Sequence, residues 1–455
     1  MQQNRERAEQ LLRSMTIEEK VAQLVSAWLE IREDGTFNVR EYGQKEQRTG
    51  DVYQEVLGKG IGQLTRPFGT MANDPRKQAK AINKLQHYLV TQTRLKIPAM
   101  LHEECLTGAM IKGATVFPSA LNYGATWDPD LIGRTASAIG DELRSLGIHQ
   151  GLAPVLDVAR DARWGRLEET FGEDPYLCGL MGISYVKGLQ GPGRSPLATL
   201  KHFVGHSFSE GARNHAPVHC GMRELRNTFA LPFEMVVRNA NPGSVMPAYH
   251  DIDGIPCTSN YSLVTDLLKK QWGFDGLIVA DYEAIVQLVN DHHVADDMAE
   301  AAALAFNAGM DIELPGFTVF KEGLIEALYR GLVTDEALDR SVLRILEEKL
   351  RQGVFEHPYI QEEAIDIGSA KNHALAREVA EKSLVLLKND GTLPLKKGMK
   401  VALIGALADH PYAMFGGYAP PVHLQGSHGP KETVPVLAKT RSEERRVGKE
   451  CRSRW

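Results

Sequence analysis

Cysteine is scarce in this chain: five among 455 residues (Cys105, Cys178, Cys220, Cys257 and Cys451), widely scattered, odd in number and without a C-x-x-C pair. A disulfide framework or a thiolate metal site would need closely patterned cysteines, so neither is indicated. Long apolar runs are missing too. No stretch approaches the roughly 18 apolar residues of a membrane helix, and the N-terminal MQQNRERAEQLLRSM has no apolar signal core. These absences point away from a membrane partner and towards a cytoplasmic location. Nor is there an excess of positive charge: the net charge is −6, which argues against a nucleic-acid partner. A glycine-rich loop of the kind that cradles phosphates is also absent.

What is present is a composition ordinary for a globular protein, 43% hydrophobic and 24% charged, in a chain too long for a single ordinary core. Up to about residue 355, short apolar runs alternate with amphipathic stretches, the pattern of parallel strands joined by crossover helices. The strand candidates are IGQLTR (Ile61–Arg66), IPAMLHEE, GLAPVLDVAR, LATLKHF, GSVMPAYH, GLIVAD and MDIELP. Helix starts between them are marked by a capping box at Thr16 and Glu19 and by the pairs Asp128-Pro129 and Asp174-Pro175. The strands end in Arg66, Glu103 and Glu104, Asp157 and Arg160, Lys201 and His202, Tyr249, Asp281 and Glu313. Polar groups gathered at one end of many parallel strands predict a (β/α)8 barrel, although only seven strands can be counted.

The barrel is expected over residues 1–355, an irregular linker over 356–372, and the beginning of a second α/β domain over 373–440, opened by a strand in KVALIGALAD. The last stretch, RSEERRVGKECRSRW (residues 441–455), is strongly basic and has no apolar periodicity. One reading is a disordered basic tail. The string also resembles an in-frame translation of sequencing-adapter DNA, which would make it non-native.

Asp281 ends the apolar run of GLIVADYEAI. A helix N-cap would explain it by position alone. Lys201, His202 and Arg160 at neighbouring strand ends offer a second explanation: donors converging on one carboxylate hold it ionised and can grip a ligand rich in hydroxyls, such as a sugar. In the tract RDARWGRLEETFGEDP, Arg163, Arg166, Glu168, Glu169 and Glu173 read as a salt-bridged structural loop, and Arg160, nearest the strand end, as the residue that touches substrate. His202 and His206, like His215 and His219, are spaced four apart, but the segment is glycine-rich and reads as a loop. No metal site and no cofactor are expected.

The strings LDVARDARWGRLEETFGEDP, KHFVGHSFSEGARNHAPVH, RELRNTFALPFEMVVRNANPGSVMPAYHDIDGIPCTSN and WGFDGLIVADYEAI resemble glycoside hydrolase family 3, the β-glucosidase and β-xylosidase family, from about Ala8 to about Pro421. The resemblance implies a barrel followed by a sandwich domain. It further implies retaining hydrolysis of non-reducing terminal β-D-glucosyl or β-D-xylosyl residues, with oligosaccharides or aryl glycosides as substrates. By motif, Asp281 falls where the family has its nucleophile, Lys201 and His202 where it binds sugar hydroxyls, and Arg160 on the first arginine of R-D-x-R-W-G-R. Tyr249 falls on a residue lining the cleavage subsite, and Glu104 on the carboxylate that holds the outer hydroxyls. Thr107 stands where a histidine is common and Ala280 where a serine is. The family's acid/base is usually a glutamate of the sandwich domain, and no motif here matches it. Three alternatives stay open: a sugar-binding pseudoenzyme, a metal-dependent barrel hydrolase, and the β-N-acetylglucosaminidase branch. That last branch carries an Asp-x-His where this chain has Arg213-Asn214-His215. A homo-oligomer stays open as a further partner.

Overall fold

A computed structural model of the chain describes residues 2–32, 36–40, 53–402, 404 and 415–428. Short parallel strands form its centre. β1 (Ser26–Ile31), β2 (Gln63–Thr65), β3 (Met100–Glu103), β4 (Gln150–Gly151), β5 (Leu197–Phe203), β6 (Ser244–Pro247) and β7 (Leu277–Ile278) each pair in parallel with the next. The eighth position is taken by the segment around Ile312, which bridges Val279 in parallel. The ring closes where the Glu313 N–H donates to the Leu24 carbonyl (2.9 Å) and the Ser26 N–H to the Gly316 carbonyl (3.1 Å). This is the (β/α)8 arrangement, and the strand missing from the sequence count is β1. Its SAWLEI follows the helix Ile17–Ala22 with no glycine, proline or asparagine between them, so no turn signal divides the two.

β5 is buried along its whole length, as a strand covered on both faces must be. The barrel interior nevertheless carries a belt of polar side chains that satisfy one another. Gln63 Nε2 donates to Gln150 Oε1 (2.9 Å), and Gln150 Nε2 donates to both Thr199 Oγ1 (3.0 Å) and Ser244 Oγ (2.9 Å). Buried polar atoms are tolerated on these terms because every donor meets an acceptor. The outer helices start where their caps sit: Asp128 accepts from the Leu131 N–H (3.0 Å), Asp174 from the Leu177 N–H (2.6 Å), and Thr16 and Glu19 close their capping box. No helix among the described residues is long and apolar enough to cross a membrane.

The stretch expected as a linker is pinned to the barrel's flank. The Asn83 amide donates to the Ile360 carbonyl (2.9 Å) and accepts from its N–H (2.8 Å), while Glu142 accepts from the Gly368 N–H and from Asn372 Nδ2 (3.0 Å each). A helix, Ala370–Lys382, follows and is tied to the barrel by Lys382 Nζ on Asp128 (3.1 Å). Of KVALIGALAD, only Lys400, Val401, Ala402 and Ile404 are described, and they form no strand; the rest of it, like residues 441–455, lies outside the described residues.

Candidate active site

Asp281 follows β7 at the C-terminal end of the barrel strands, buried to 8% exposure. Its two oxygens are treated differently. Oδ1 accepts from the Tyr249 hydroxyl (2.8 Å) and from the Tyr282 N–H (2.7 Å), whereas Oδ2 is buried without a hydrogen-bond partner among the described residues and lies 3.6 Å from His202 Nε2. Burial pushes the carboxyl above its ordinary range; Arg166, Lys201 and the donated hydrogen bonds pull the other way. One oxygen is thus anchored and the other is bare.

Two ion pairs and a histidine–carboxylate hydrogen bond surround it. Lys201 Nζ donates to Glu104 Oε2 (2.9 Å) with both side chains nearly inaccessible, and Glu104 keeps the ammonium charged against the burial that would discharge it. Arg166 forks onto Glu169 through Nε and an Nη atom (2.8 Å each), and that Nη also lies 2.9 Å from His202 Nε2. His202 Nδ1 is 2.9 Å from Asp157 Oδ2, which also accepts the His202 backbone N–H (3.1 Å). Burial, reinforced by Arg166, drives the imidazole well below its usual range, and burial raises the Asp157 carboxyl to about 7. Neutral, charged and hydroxyl groups are therefore packed side by side on one face, an arrangement that can donate to and accept from a polyhydroxylated ligand.

A segment from outside the barrel reaches this face. The Tyr418 hydroxyl lies 3.4 Å from Arg166 Nη, and its ring lies 5.2 Å from Lys201 Nζ. Its carbonyl accepts from Thr107 Oγ1 (3.1 Å), and the Gly417 N–H donates to Glu168 (2.6 Å). Burial raises the Tyr418 phenol to about 12, so it stays protonated and able to donate.

Glu104, Lys201, His202, Tyr249 and Asp281 are brought together, as the sequence suggests. Arg160 is not. Its side chain is exposed, because the chain turns outward after Ala159, whose N–H donates to the Gly172 carbonyl (2.9 Å). The loop returns through the short helix Leu167–Glu169, and this brings Arg166, expected to be purely structural, into contact with His202. Arg166, Asp157, Glu169 and Tyr418 are the site members that the sequence reading does not select. The only signals for them are the repeated arginines of the R-x-x-R-x-x-R tract, which do not say which one turns inward, and an aspartate at a strand end. Arg66, Glu103 and Glu313, also strand-end groups, hold loops instead: Glu313 accepts from the Val319 and Phe320 N–H groups (2.8 and 2.6 Å), and Glu103 from those of Phe68 and Gly69 (2.8 and 3.0 Å). Gly69 suits that approach, since a Cβ there would lie 2.5 Å from Glu103 Oε2.

Asp157, His202 and His206 place potential ligand atoms within 4.8 Å of one another. The Arg166 guanidinium touching His202 sets a fixed positive charge beside them, which disfavours a metal cation there. His215, of the loop that distinguishes the N-acetylglucosaminidase branch, holds its ring tilted against that of Tyr249, with centroids 4.6 Å apart.

Residues 16–347 match the family model described as the glycosyl hydrolase family 3 N terminal domain. A β-xylosidase of Formosa agariphila is 36% identical over 375 residues, 75% of this chain and 52% of that protein. A periplasmic β-glucosidase of Salmonella typhimurium is 32% identical over 425 residues, 90% of this chain and 51% of that protein. Among solved structures, an exo-1,3/1,4-β-glucanase of a Pseudoalteromonas species aligns at a TM-score of 0.81 with 28% identity, covering 98% of this chain and 56% of that one. A β-glucosidase of Listeria innocua, solved with glucose, aligns at 0.80 with 29% identity, covering 91% and 56%. The chain spans about half the length of the curated relatives it matches.

Proposed function

The chain belongs to glycosyl hydrolase family 3, and from that premise we propose that its barrel is the sugar-binding and nucleophile-bearing part of a retaining β-glycosidase acting on non-reducing terminal β-D-glucosyl or β-D-xylosyl residues. The observation that carries this reading is the asymmetry of Asp281, with Oδ1 held by two donors and Oδ2 bare within a cluster of Arg166, Lys201, His202 and Glu104. In a retaining mechanism one carboxylate attacks the anomeric carbon to form a glycosyl-enzyme while a carboxylic acid protonates the leaving oxygen; water then completes hydrolysis with that second group acting as base. Asp281 is the attacking carboxylate. Lys201 and Glu104 bind outer hydroxyls, and His202 and Arg166 bind those nearer the reacting carbon. The relatives carry both glucosidase and xylosidase names. Choosing between the two sugars rests on room for one CH₂OH group, worth about 1 to 3 kcal/mol in a close-fitting pocket.

The acid/base is proposed to lie outside this set of carboxylates. Glu104 is paired with Lys201, Glu169 with Arg166, and Asp157 with His202, so each is engaged in holding a neighbour. Loss of acid assistance costs on the order of 10² to 10⁴ in rate, least where the leaving group needs no proton. The chain should therefore form a glycosyl adduct on Asp281 with 2-fluoro glycosides bearing dinitrophenolate, turn over aryl glycosides slowly, and leave cellobiose and xylobiose almost untouched. Intact-mass spectrometry and peptide mapping read the adduct. No adduct at all would favour a sugar-binding pseudoenzyme, and rapid disaccharide hydrolysis would show that an acid serves Asp281 in this chain.

A further inference from the structure

The ring of His202 can hold its proton on only one nitrogen. A guanidinium has donors and no acceptor, so with Arg166 Nη 2.9 Å away the His202 Nε2 must present its lone pair. The proton then sits on Nδ1 and is donated to Asp157 Oδ2 at 2.9 Å, where the same oxygen also receives the His202 backbone N–H. Both Asp157 and His202 are about 1% exposed, so no water competes for these contacts. The consequence reaches Asp281. Its Oδ2 lies 3.6 Å from His202 Nε2 and has no donor among the described residues, since the nitrogen facing it carries no hydrogen.

Building on the nucleophilic role read for Asp281, we infer that Asp157 is a positioning residue: it fixes the Nδ1–H tautomer of His202 and thereby keeps a hydrogen-bond donor away from the attacking oxygen of Asp281. With the opposite tautomer, Nε2–H would point at Asp281 Oδ2 and at the Arg166 N–H groups together. It would dull the nucleophile by hydrogen bonding and repel the guanidinium. A buried carboxylate behind a histidine is a general means of selecting one tautomer, since the two ring nitrogens are distinct and a bond to one sets the state of the other. The fork of Glu169 on Arg166 completes the arrangement by aiming the guanidinium at Nε2.

Two measurements test this. In the unaltered chain labelled with ¹⁵N-histidine, with the His202 signals assigned by their loss in His202→Gln, Nδ1 should have the chemical shift of a protonated nitrogen and Nε2 that of a bare one. A protonated Nε2 at neutral pH overturns the proposal, and this readout requires no variant of Asp157 to fold. Asp157→Asn should slow adduct formation on Asp281 by a 2,4-dinitrophenyl 2-fluoroglycoside roughly 10- to 100-fold, in its limiting rate more than in its half-saturating concentration. In a His202→Gln background the same change should add nothing, because Asp157 acts through His202. An equal slowing in both backgrounds, or no slowing in the first, overturns the assignment. Failure of the unaltered chain to label would instead refute the nucleophilic role, while the tautomer measurement would still decide the state of His202.

Discussion

The Tyr249 hydroxyl adds a direct hydrogen bond to the larger pull that Arg166 and Lys201 exert on the charge of Asp281. Burial raises the carboxyl's pKa, and the Tyr249 hydroxyl, donating to Oδ1 at 2.8 Å, is one of the contacts that lower it. Since only the ionised carboxylate attacks, adduct formation is lost as pH falls through the folded-state pKa. Tyr249→Phe removes a donor to a charged acceptor, worth about 1.5 to 3 kcal/mol, and so moves the ionisation to higher pH. The rising limb of the labelling rate should move to higher pH with it, while the rate on the alkaline plateau changes little. The ring itself stays packed between His206 and His215 (6.0 and 4.6 Å between centroids), so a loss of fold is not expected. A rate profile with an unmoved limb would show that the hydroxyl does not stabilise the carboxylate.

At the scale of elements, the end of the barrel opposite the site is joined by one buried ammonium. Lys349, in the helix Asp335–Arg351, donates to Gln23 Oε1 (2.7 Å), the Pro98 carbonyl (2.8 Å) and the Ile61 carbonyl (3.2 Å), acceptors that directly precede β1, β3 and β2. Burial pushes its pKa down to about 7. Because the folded value is depressed, the unfolded chain binds this proton more tightly between about 7 and the ordinary lysine value, so stability rises with pH across that window, by at most about 1.4 kcal/mol per unit. Lys349→Met strands three buried acceptors; urea unfolding should show a loss of about 2 to 4 kcal/mol near pH 7 and no such rise at higher pH. A sequence cannot announce such a contact. Lys349 falls on an amphipathic helix as any solvated lysine might, and its acceptors include two backbone carbonyls more than 250 residues away. The same limit explains the rest of the balance between sequence and structure. Strand ends and capped helices were legible because they are local and periodic. β1 was hidden by the absence of a turn signal, Arg166 by the path of its loop, and Tyr418 by its origin outside the barrel.

For the whole molecule, the stretch that follows the helix Ala370–Lys382 stands apart, because its apolar side chains from Leu384 to Ile404 are exposed among the described residues. Leu384, Val385, Leu386 and Leu387 are 80%, 65%, 65% and 92% exposed, and Ile404 is 86% exposed. In an extended chain alternate residues face opposite ways, so a run of four apolar residues is apolar on both faces, the composition of a strand meant to be covered on each side. Exposed, uncharged and rich in Leu and Val, it is also the kind of segment that pairs with copies of itself. The chain should therefore associate as its concentration rises through the micromolar range, visible as a growing mean mass in sedimentation velocity. Leu384→Lys with Leu386→Glu should suppress that association by placing charge on one face of the run. The labelling rate of Asp281 should not change, because neither leucine lies among the groups that hold the carboxylate. A parent chain that stays monomeric over that range would mean that the run is covered in solution, and a double variant that associates equally would place the contact elsewhere on the surface.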